Sequence, residues 1–147
     1  MTALEYDESL SAAAQNITNK CEFEHFSVDD SAFECTMFKN YFFILILGRW
    51  WFVGQNMYLF STTSPTLKRT WSYVIDKWFG EHIYYIYPDG PSDGTVHYTQ
   101  IASIYTEYVG CGYTMFIKSQ FWFYHLFICN YGPGGNYNGV PPYDAAK

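Results

Sequence analysis

The stretch VHYTQIASIYTEYVGCGY, residues 96–113, changes its hydrophobic period halfway along. Its first half carries apolar and aromatic residues at the helical spacing i, i+3, i+4 and i+7. These residues are Tyr98, Ile101, Ala102 and Tyr105. After Glu107 the side chains alternate as they do along a strand. The alternating residues are Val109, Cys111, Tyr113 and Met115. The pattern predicts a short helix, with His97 in its first turn, that leads into a strand.

A hairpin is predicted directly downstream of this strand. KSQ, residues 118–120, has the composition of a turn, and FWFYHLFICNY, residues 121–131, has the composition of a second strand. Cys111 and Cys129 lie at nearly equal distances from the turn. In an antiparallel pair they are expected to face each other, close enough for a disulfide.

The clearest helical pattern is SPTLKRTWSYVIDKWFGEHI, residues 64–83. Ser64 is a suitable N-cap, and Pro65 suits the first helical position. One apolar stripe runs along this helix. It consists of Leu67, Trp71, Val74, Ile75 and Trp78. Glu81 extends the same inward face, and an acid in that position needs a partner.

A second helix is predicted near the start of the chain, with Asp7 as its N-cap. Its apolar positions are Leu10, Ala13, Ala14, Ile17 and Cys21.

The apolar run YFFILILGRWWFV, residues 41–53, is predicted to form a buried strand or helix. A turn at Gly54-Gln55-Asn56 and a short strand, MYLF, are predicted to follow it. Helices combined with antiparallel strands, without βαβ alternation, indicate an α+β fold.

Composition limits the possible functions. A chain of 147 residues suits one domain, residues 1–147, and 33 aromatic side chains provide a large core. Eight Lys and Arg and a net charge of −6 argue against binding to nucleic acid. Residues 41–53 are too few to span a bilayer and include Arg49, so no transmembrane span is expected. The first ten residues lack the features of a signal peptide.

Three residues are candidates for a shared site: His25, Glu81 and His97. Two imidazoles and a carboxylate can coordinate zinc, and they can equally form a hydrogen-bonded network without metal. Spacing alone does not separate these alternatives. His82 and His125 have no supporting context and are interpreted as structural.

Four segments resemble, in order, the signatures of the CAP superfamily, which comprises cysteine-rich secretory proteins, antigen-5 venom allergens and plant pathogenesis-related proteins. HYTQI with VGCG resembles the first signature, and LFICNYGPGGNY, residues 126–137, resembles the second. AAAQNITNKCEFEHF and KWFGE are similar to the segments that carry the family's first histidine and one of its glutamates.

This resemblance implies a three-layer α-β-α sandwich with a small, mostly antiparallel sheet. It implies a cleft lined by His25, His97, Glu81 and Gln55, where Gln55 replaces the glutamate of a Gly-Glu-Asn turn. The first helix of the family and the C-terminal cysteine-rich domain of some members are not expected in this sequence. The stretch before Gln55 is longer than in most relatives, and the apolar insert at 41–51 is expected to cover the face left by the missing helix, unless it is a gene-model artefact.

The resemblance also implies several roles. The first is a secreted, venom-allergen-like binding or effector protein, in which His25 and His97 hold a divalent metal such as zinc. The second is binding or export of sterols or fatty acids through the loop at 83–95, which contains Tyr84, Tyr85 and Tyr87. The third is a metal-dependent hydrolase. The expected partner is a protein receptor or a lipid, and no receptor is identified.

Further implied features concern secretion. Cys111–Cys129 matches a disulfide of the family, and Cys21–Cys35 is the remaining pair. Asn16 begins an Asn-Ile-Thr sequon, which is an expected glycosylation site in an extracellular protein.

Overall fold

The computed structural model describes residues 3–23, 52–119 and 121–144. The strands are β1, Glu5–Tyr6; β2, Gly54–Thr62; β3, Tyr108–Ser119; and β4, Trp122–Gly132. The helices are α1, Glu8–Thr18; α2, Trp71–Phe79; a 3-10 helix, Gly80–Tyr84; and α3, Val96–Ile101. His25, Cys35 and residues 41–51 of the apolar run lie outside the described residues.

The four strands form one sheet in the order β1-β3-β4-β2. β1 pairs in parallel with β3, and β4 pairs antiparallel with both β3 and β2. The predicted hairpin is confirmed, with Cys111 opposite Cys129, although β3 continues to Ser119 and the turn lies later than expected. The prediction that Gly54-Gln55-Asn56 forms a turn is wrong, because these residues pair with β4 as the start of β2.

Helix α1 covers one face of the sheet. Asp7 caps it as predicted, since its Oδ1 accepts a hydrogen bond from the backbone N–H of Leu10 at 2.9 Å. Leu10, Ala14 and Ile17 are buried, and the last two pack with strand residues. Those strand residues are Met57, Leu126 and Ile128. The helix ends at Thr18, so Cys21 does not extend its apolar face as predicted.

Helix α2 covers the opposite face of the sheet. It begins at Trp71, six positions after Pro65, which was predicted to be its first residue. Thr70 is the actual cap, and its hydroxyl accepts a hydrogen bond from the backbone N–H of Tyr73 at 3.2 Å. Val74 and Trp78 are buried against β4 as predicted. The prediction is wrong for Leu67, which precedes the helix and is exposed, and for Ile75, which is exposed on the outer face of the helix.

The sheet therefore lies between α1 on one side and α2 with α3 on the other, which confirms the α+β fold with a small, mostly antiparallel sheet. Alternation along β4 explains the two cores. Even-numbered residues such as Leu126 face α1, and odd-numbered residues such as Phe127 face α2. Within the described ranges, no helix is long and apolar enough to cross a membrane.

Candidate functional site

Glu81 and His97 are brought together by two short helices on the α2 side of the sheet. Glu81 lies in the 3-10 helix that continues α2, and His97 lies in the first turn of α3, as predicted. The Nδ1–H of His97 donates to Glu81 Oε1 at 2.6 Å. The backbone N–H groups of His97 and Tyr98 donate to Glu81 Oε2 at 2.9 and 3.2 Å. One carboxylate therefore holds both the imidazole and the start of α3.

The imidazole of His97 is fixed from a second direction by Trp78. The two rings are stacked, with centroids 6.2 Å apart and planes 11° from parallel. The indole is itself anchored, because its Nε1–H donates to the carbonyl of Met57 at 3.2 Å. The side chains of His97 and Glu81 are 27% and 20% exposed. Because Glu81 accepts the proton on Nδ1, the lone pair of Nε2 remains available for a ligand.

Asn56 supports the pair from β2. Its amide donates to the carbonyl of His97 at 3.1 Å and to the hydroxyl of Tyr131 at 3.4 Å. Both side chains are buried, and burial raises the pKa of Tyr131, so its phenol stays protonated. Sequence reasoning did not single out Asn56 or Tyr131. The pairing of residues 54–62 with β4 is what identifies both residues, because it directs the side chain of Asn56 toward α3.

Gln55 lies on the other side of the sheet. Its Nε2 donates to Asn130 Oδ1 at 3.0 Å, and Asn130 in turn donates to the carbonyl of Leu10 in α1. The side chain of Gln55 therefore shares the face of Met57, while Glu81 and His97 lie beyond the opposite face. The structure brings Glu81 and His97 together and separates Gln55 from them.

Hydrogen bonds of Gln100 hold α3 in its position. This buried amide accepts from the backbone N–H of Gly135 at 3.1 Å and donates to the hydroxyl of Thr106 at 3.0 Å. Gly54 lies directly against it, and a Cβ at position 54 would collide with the amide. α3 ends at Ile101, so Tyr105 lies beyond the helix, contrary to the predicted spacing.

The tyrosines of the loop at 83–95 divide into two groups. Tyr85 and Tyr87 pack against Tyr143, with ring centroids 5.9 and 5.8 Å apart. Tyr84 points outward, and its side chain is 69% exposed. Ile83 and Ile86 are 66% and 70% exposed, so this segment exposes three large apolar side chains within four residues, which we term the exposed ridge.

Cys111 and Cys129 form a disulfide across β3 and β4, which confirms the predicted pairing. Cys21 has no disulfide partner within the described residues, and Cys35 lies outside them, so the second pairing stays a prediction. Asn16 is exposed on α1, and its glycosylation also stays a prediction.

Within the described part of the chain, no group of three or more His, Cys, Asp and Glu side chains is placed to hold a metal ion. Of the two predicted metal-binding imidazoles, the described residues supply one, that of His97. The second imidazole of the predicted metal site, His25, lies outside them. The donor chemistry fits a divalent metal only if a further ligand completes the site.

The comparisons with known proteins agree with this architecture. The model of the CAP family, described as the cysteine-rich secretory protein family, matches residues 1–131. The chain therefore belongs to the cysteine-rich secretory protein family.

Several relatives are similar over nearly the whole chain. Salivary antigen-5 of Triatoma infestans is 30% identical and aligns with 100% of this chain and 57% of its own length. Venom allergen 5.01 of Dolichovespula maculata is 32% identical and aligns with 98% of this chain and 57% of its own. The solved structure of BmVAL-1 superposes with a TM-score of 0.71 at 22% identity, over 98% of this chain and 65% of that chain, and shows the fold. The chain spans just over half the length of these two curated relatives.

Proposed function

We propose that this protein is a secreted, venom-allergen-like binding or effector protein that acts without turning over a substrate, with His97 presenting Nε2 to its ligand. The family description and the antigen-5 relatives support an extracellular role. The disulfide between Cys111 and Cys129 supports it independently, because such bonds persist mainly in oxidising compartments.

The observation that carries the proposal is the engagement of Glu81. Its carboxylate accepts three hydrogen bonds, one from the ring and two from the backbone. A general base must reach the proton that it removes from a substrate or water. Glu81 is instead directed at its own chain, so its role is to position the imidazole. This arrangement favours binding over hydrolysis.

A divalent metal such as zinc is the ligand that the donor chemistry suits best. His97 would bind it through Nε2, with Glu81 accepting the Nδ1 proton, an arrangement that orients metal-binding imidazoles. His25 is the proposed second ligand. When bound, the ion would supply a positive centre able to attract an anionic group of a partner.

Calorimetric titration with zinc tests this proposal. His97→Gln is expected to weaken binding by at least about tenfold, because an ordered ligand is lost. The matched control is His82→Gln, since His82 lies close by with its Nδ1 hydrogen-bonded to the carbonyl of Phe79, and this variant should bind zinc as before. Equal binding by both variants would contradict the metal site. Zinc-dependent ester or peptide cleavage that disappears in His97→Gln would favour the hydrolase instead.

A second candidate function is binding of a sterol or fatty acid, which is favoured by the exposed ridge of Ile83, Tyr84 and Ile86. Large apolar side chains exposed close together commonly mark a binding site. Binding of a radiolabelled sterol to Ile86→Ser should fall. The same substitution at Ile104, which is also exposed but lies outside the loop, should leave it unchanged. If the two variants bind sterol equally, the ridge is not the site.

A further inference from the structure

The outer edge of β3 is only partly covered by the rest of the described chain. β3 runs from Tyr108 to Ser119, and β1 pairs with its first two residues. Side chains of α1 cover the next part, where the hydroxyl of Ser11 donates to the carbonyl of Cys111 at 2.8 Å. The amide of Gln15 accepts from the N–H of Tyr113 at 3.1 Å and donates to its carbonyl at 2.9 Å. At Tyr113, this amide therefore replaces a neighbouring strand.

Beyond Tyr113 the backbone at this edge has no partner. In an antiparallel pair, the N–H and C=O groups of every second residue point away from the paired strand. Val109, Cys111 and Tyr113 use these outward groups for contacts with the segment that contains β1 and α1. The same alternation turns the N–H and C=O of Met115 and Ile117 away from β4, because the register is regular as far as Ile117. Among the described residues, these four groups accept or donate no hydrogen bond.

The side chains at this free edge, Met115–Ile117, are apolar, and two of them are exposed. Met115 is 44% exposed and Ile117 is 63% exposed. An open strand edge with exposed apolar side chains readily pairs with a further strand. A metal ion or a lipid cannot supply the alternating donors and acceptors that the backbone requires. The complementary partner is therefore an extended segment of polypeptide.

We propose that two copies of this protein associate through the free edge of β3, as antiparallel strands related by a twofold axis near Phe116. Met115 of each copy then lies opposite Ile117 of the other. Both residues turn their backbone groups outward, so each of these two pairs can exchange two hydrogen bonds. The sheets of the two copies become one continuous sheet.

The free edge is complementary to itself, which favours a second copy over an unrelated peptide. A twofold interface uses the same surface on both subunits, and the outward groups of Met115 and Ile117 match in that arrangement. The net charge of −6 opposes association of two copies in general. Residues 109–117 contain no charged side chain, so like charges do not face each other along this part of the edge.

The position of Gln15 limits the length of the contact. Its amide already occupies the backbone of Tyr113, so only the part of β3 beyond this residue is open to a second strand. The dimer is therefore expected to be weak and to depend on protein concentration. It is also independent of the zinc and sterol proposals, because Glu81, His97 and the exposed ridge lie on other elements.

Sedimentation velocity of the full, oxidised chain tests the proposal from the low micromolar to the millimolar range. The expected result is a monomer in dilute solution that converts to a dimer as the concentration rises. A monomer at every concentration would overturn the proposal. Oligomers that continue to grow beyond the dimer would also overturn it, because a twofold contact closes on itself.

Two variants and one matched control locate the contact. Ile117→Lys should weaken dimerisation by at least about tenfold, because a lysine at a strand edge opposes pairing. Ile117→Pro serves as the second variant should the lysine variant fail to fold, since it removes the outward N–H without removing a bond to β4. Ile83→Lys changes an isoleucine of similar exposure, 66%, in the 3-10 helix, and should dimerise as wild type. Equal weakening by Ile83→Lys would contradict a contact at β3.

Hydrogen exchange of single amides provides an independent readout of the same contact. The amides of Met115 and Ile117 should exchange at least about tenfold more slowly when the protein is concentrated enough to dimerise. The amide of Tyr113, which is bonded to Gln15, should be protected at every concentration and serves as the internal control. If Met115 and Ile117 are already protected in dilute solution, the chain covers its own edge and the proposal is wrong.

Discussion

Glu81 accepts hydrogen bonds from both the ring nitrogen Nδ1 and the backbone nitrogen of His97, at 2.6 and 2.9 Å. This double contact connects the 3-10 helix at the end of α2 to the first turn of α3. The position of the imidazole is thereby coupled to the packing of both helices on the sheet. Stability and ligand binding are therefore expected to respond to the same substitutions.

Replacing Glu81 with Gln is expected to lower the free energy of unfolding by about 1–3 kcal/mol, because charge-assisted hydrogen bonds become neutral ones. An amide also places a donor opposite one of the three N–H groups that Glu81 now satisfies. Urea denaturation measures the change. Asp76→Asn, which alters an exposed acid on α2, is the control and should shift stability by less than about 0.5 kcal/mol. Equal losses in the two variants would argue against the special role of Glu81.

Replacing Trp78 with Phe should destabilise the protein by about 1–3 kcal/mol, because the buried carbonyl of Met57 loses its donor. The variant should also loosen His97, which stacks on the indole. Trp71→Phe is a suitable comparison, since Trp71 makes an edge-on contact with Phe127 at 5.0 Å between centroids. Thermal denaturation should show the larger loss for Trp78→Phe, and the reverse order would contradict the predicted role of its indole N–H.

The disulfide between Cys111 and Cys129 joins residues separated by 18 positions in the chain. Its removal in the double variant Cys111→Ala/Cys129→Ala is expected to cost about 2–4 kcal/mol, chiefly by freeing the unfolded chain. Under oxidising conditions, urea unfolding should give the variant a lower free energy of unfolding than wild type. Addition of a reductant should bring the wild type close to the variant, and a persistent gap under reduction would show that the alanines act through packing.

His125 is expected to make stability depend on acidity. Burial lowers its pKa in the folded protein below the ordinary value of 6.5, so between these two values the unfolded chain binds more protons. The stabilisation is therefore complete above pH 6.5 and is lost as the pH falls through the folded pKa. His125→Phe keeps ring contacts with Phe60 and Tyr113 and removes this dependence. Thermal unfolding across this pH range should show that wild type loses stability more steeply than the variant as the pH falls. Parallel pH dependences of the two proteins would refute the prediction.

Local signals were sufficient to predict some elements. Asp7 followed by apolar residues at helical spacing identified α1, because the cap and the packing face lie within one segment. The alternation around Cys111 and Cys129 identified the β3–β4 hairpin for the same reason. Both elements are specified by residues close together in sequence.

Other features depended on contacts between distant segments. Ser64 and Pro65 are valid signals for a helix start, yet Thr70 supplies the cap. Gly54-Gln55-Asn56 has the composition of a turn, and pairing with β4 draws it into a strand. This pairing determines which side chains reach the site, because a strand directs Asn56 toward His97 and Gln55 toward α1. No periodicity in the sequence distinguishes these outcomes.

The position of the proton on the His97 ring is the most direct test of the proposed binding role, because that role requires an unprotonated Nε2. The ¹⁵N chemical shifts of the two ring nitrogens, assigned with His97→Gln and recorded at a pH where the imidazole is neutral, report which one carries the proton. We predict the proton on Nδ1, shared with Glu81, and a bare Nε2. A proton on Nε2 would contradict the hydrogen bond between the two side chains and the ligand site built on it.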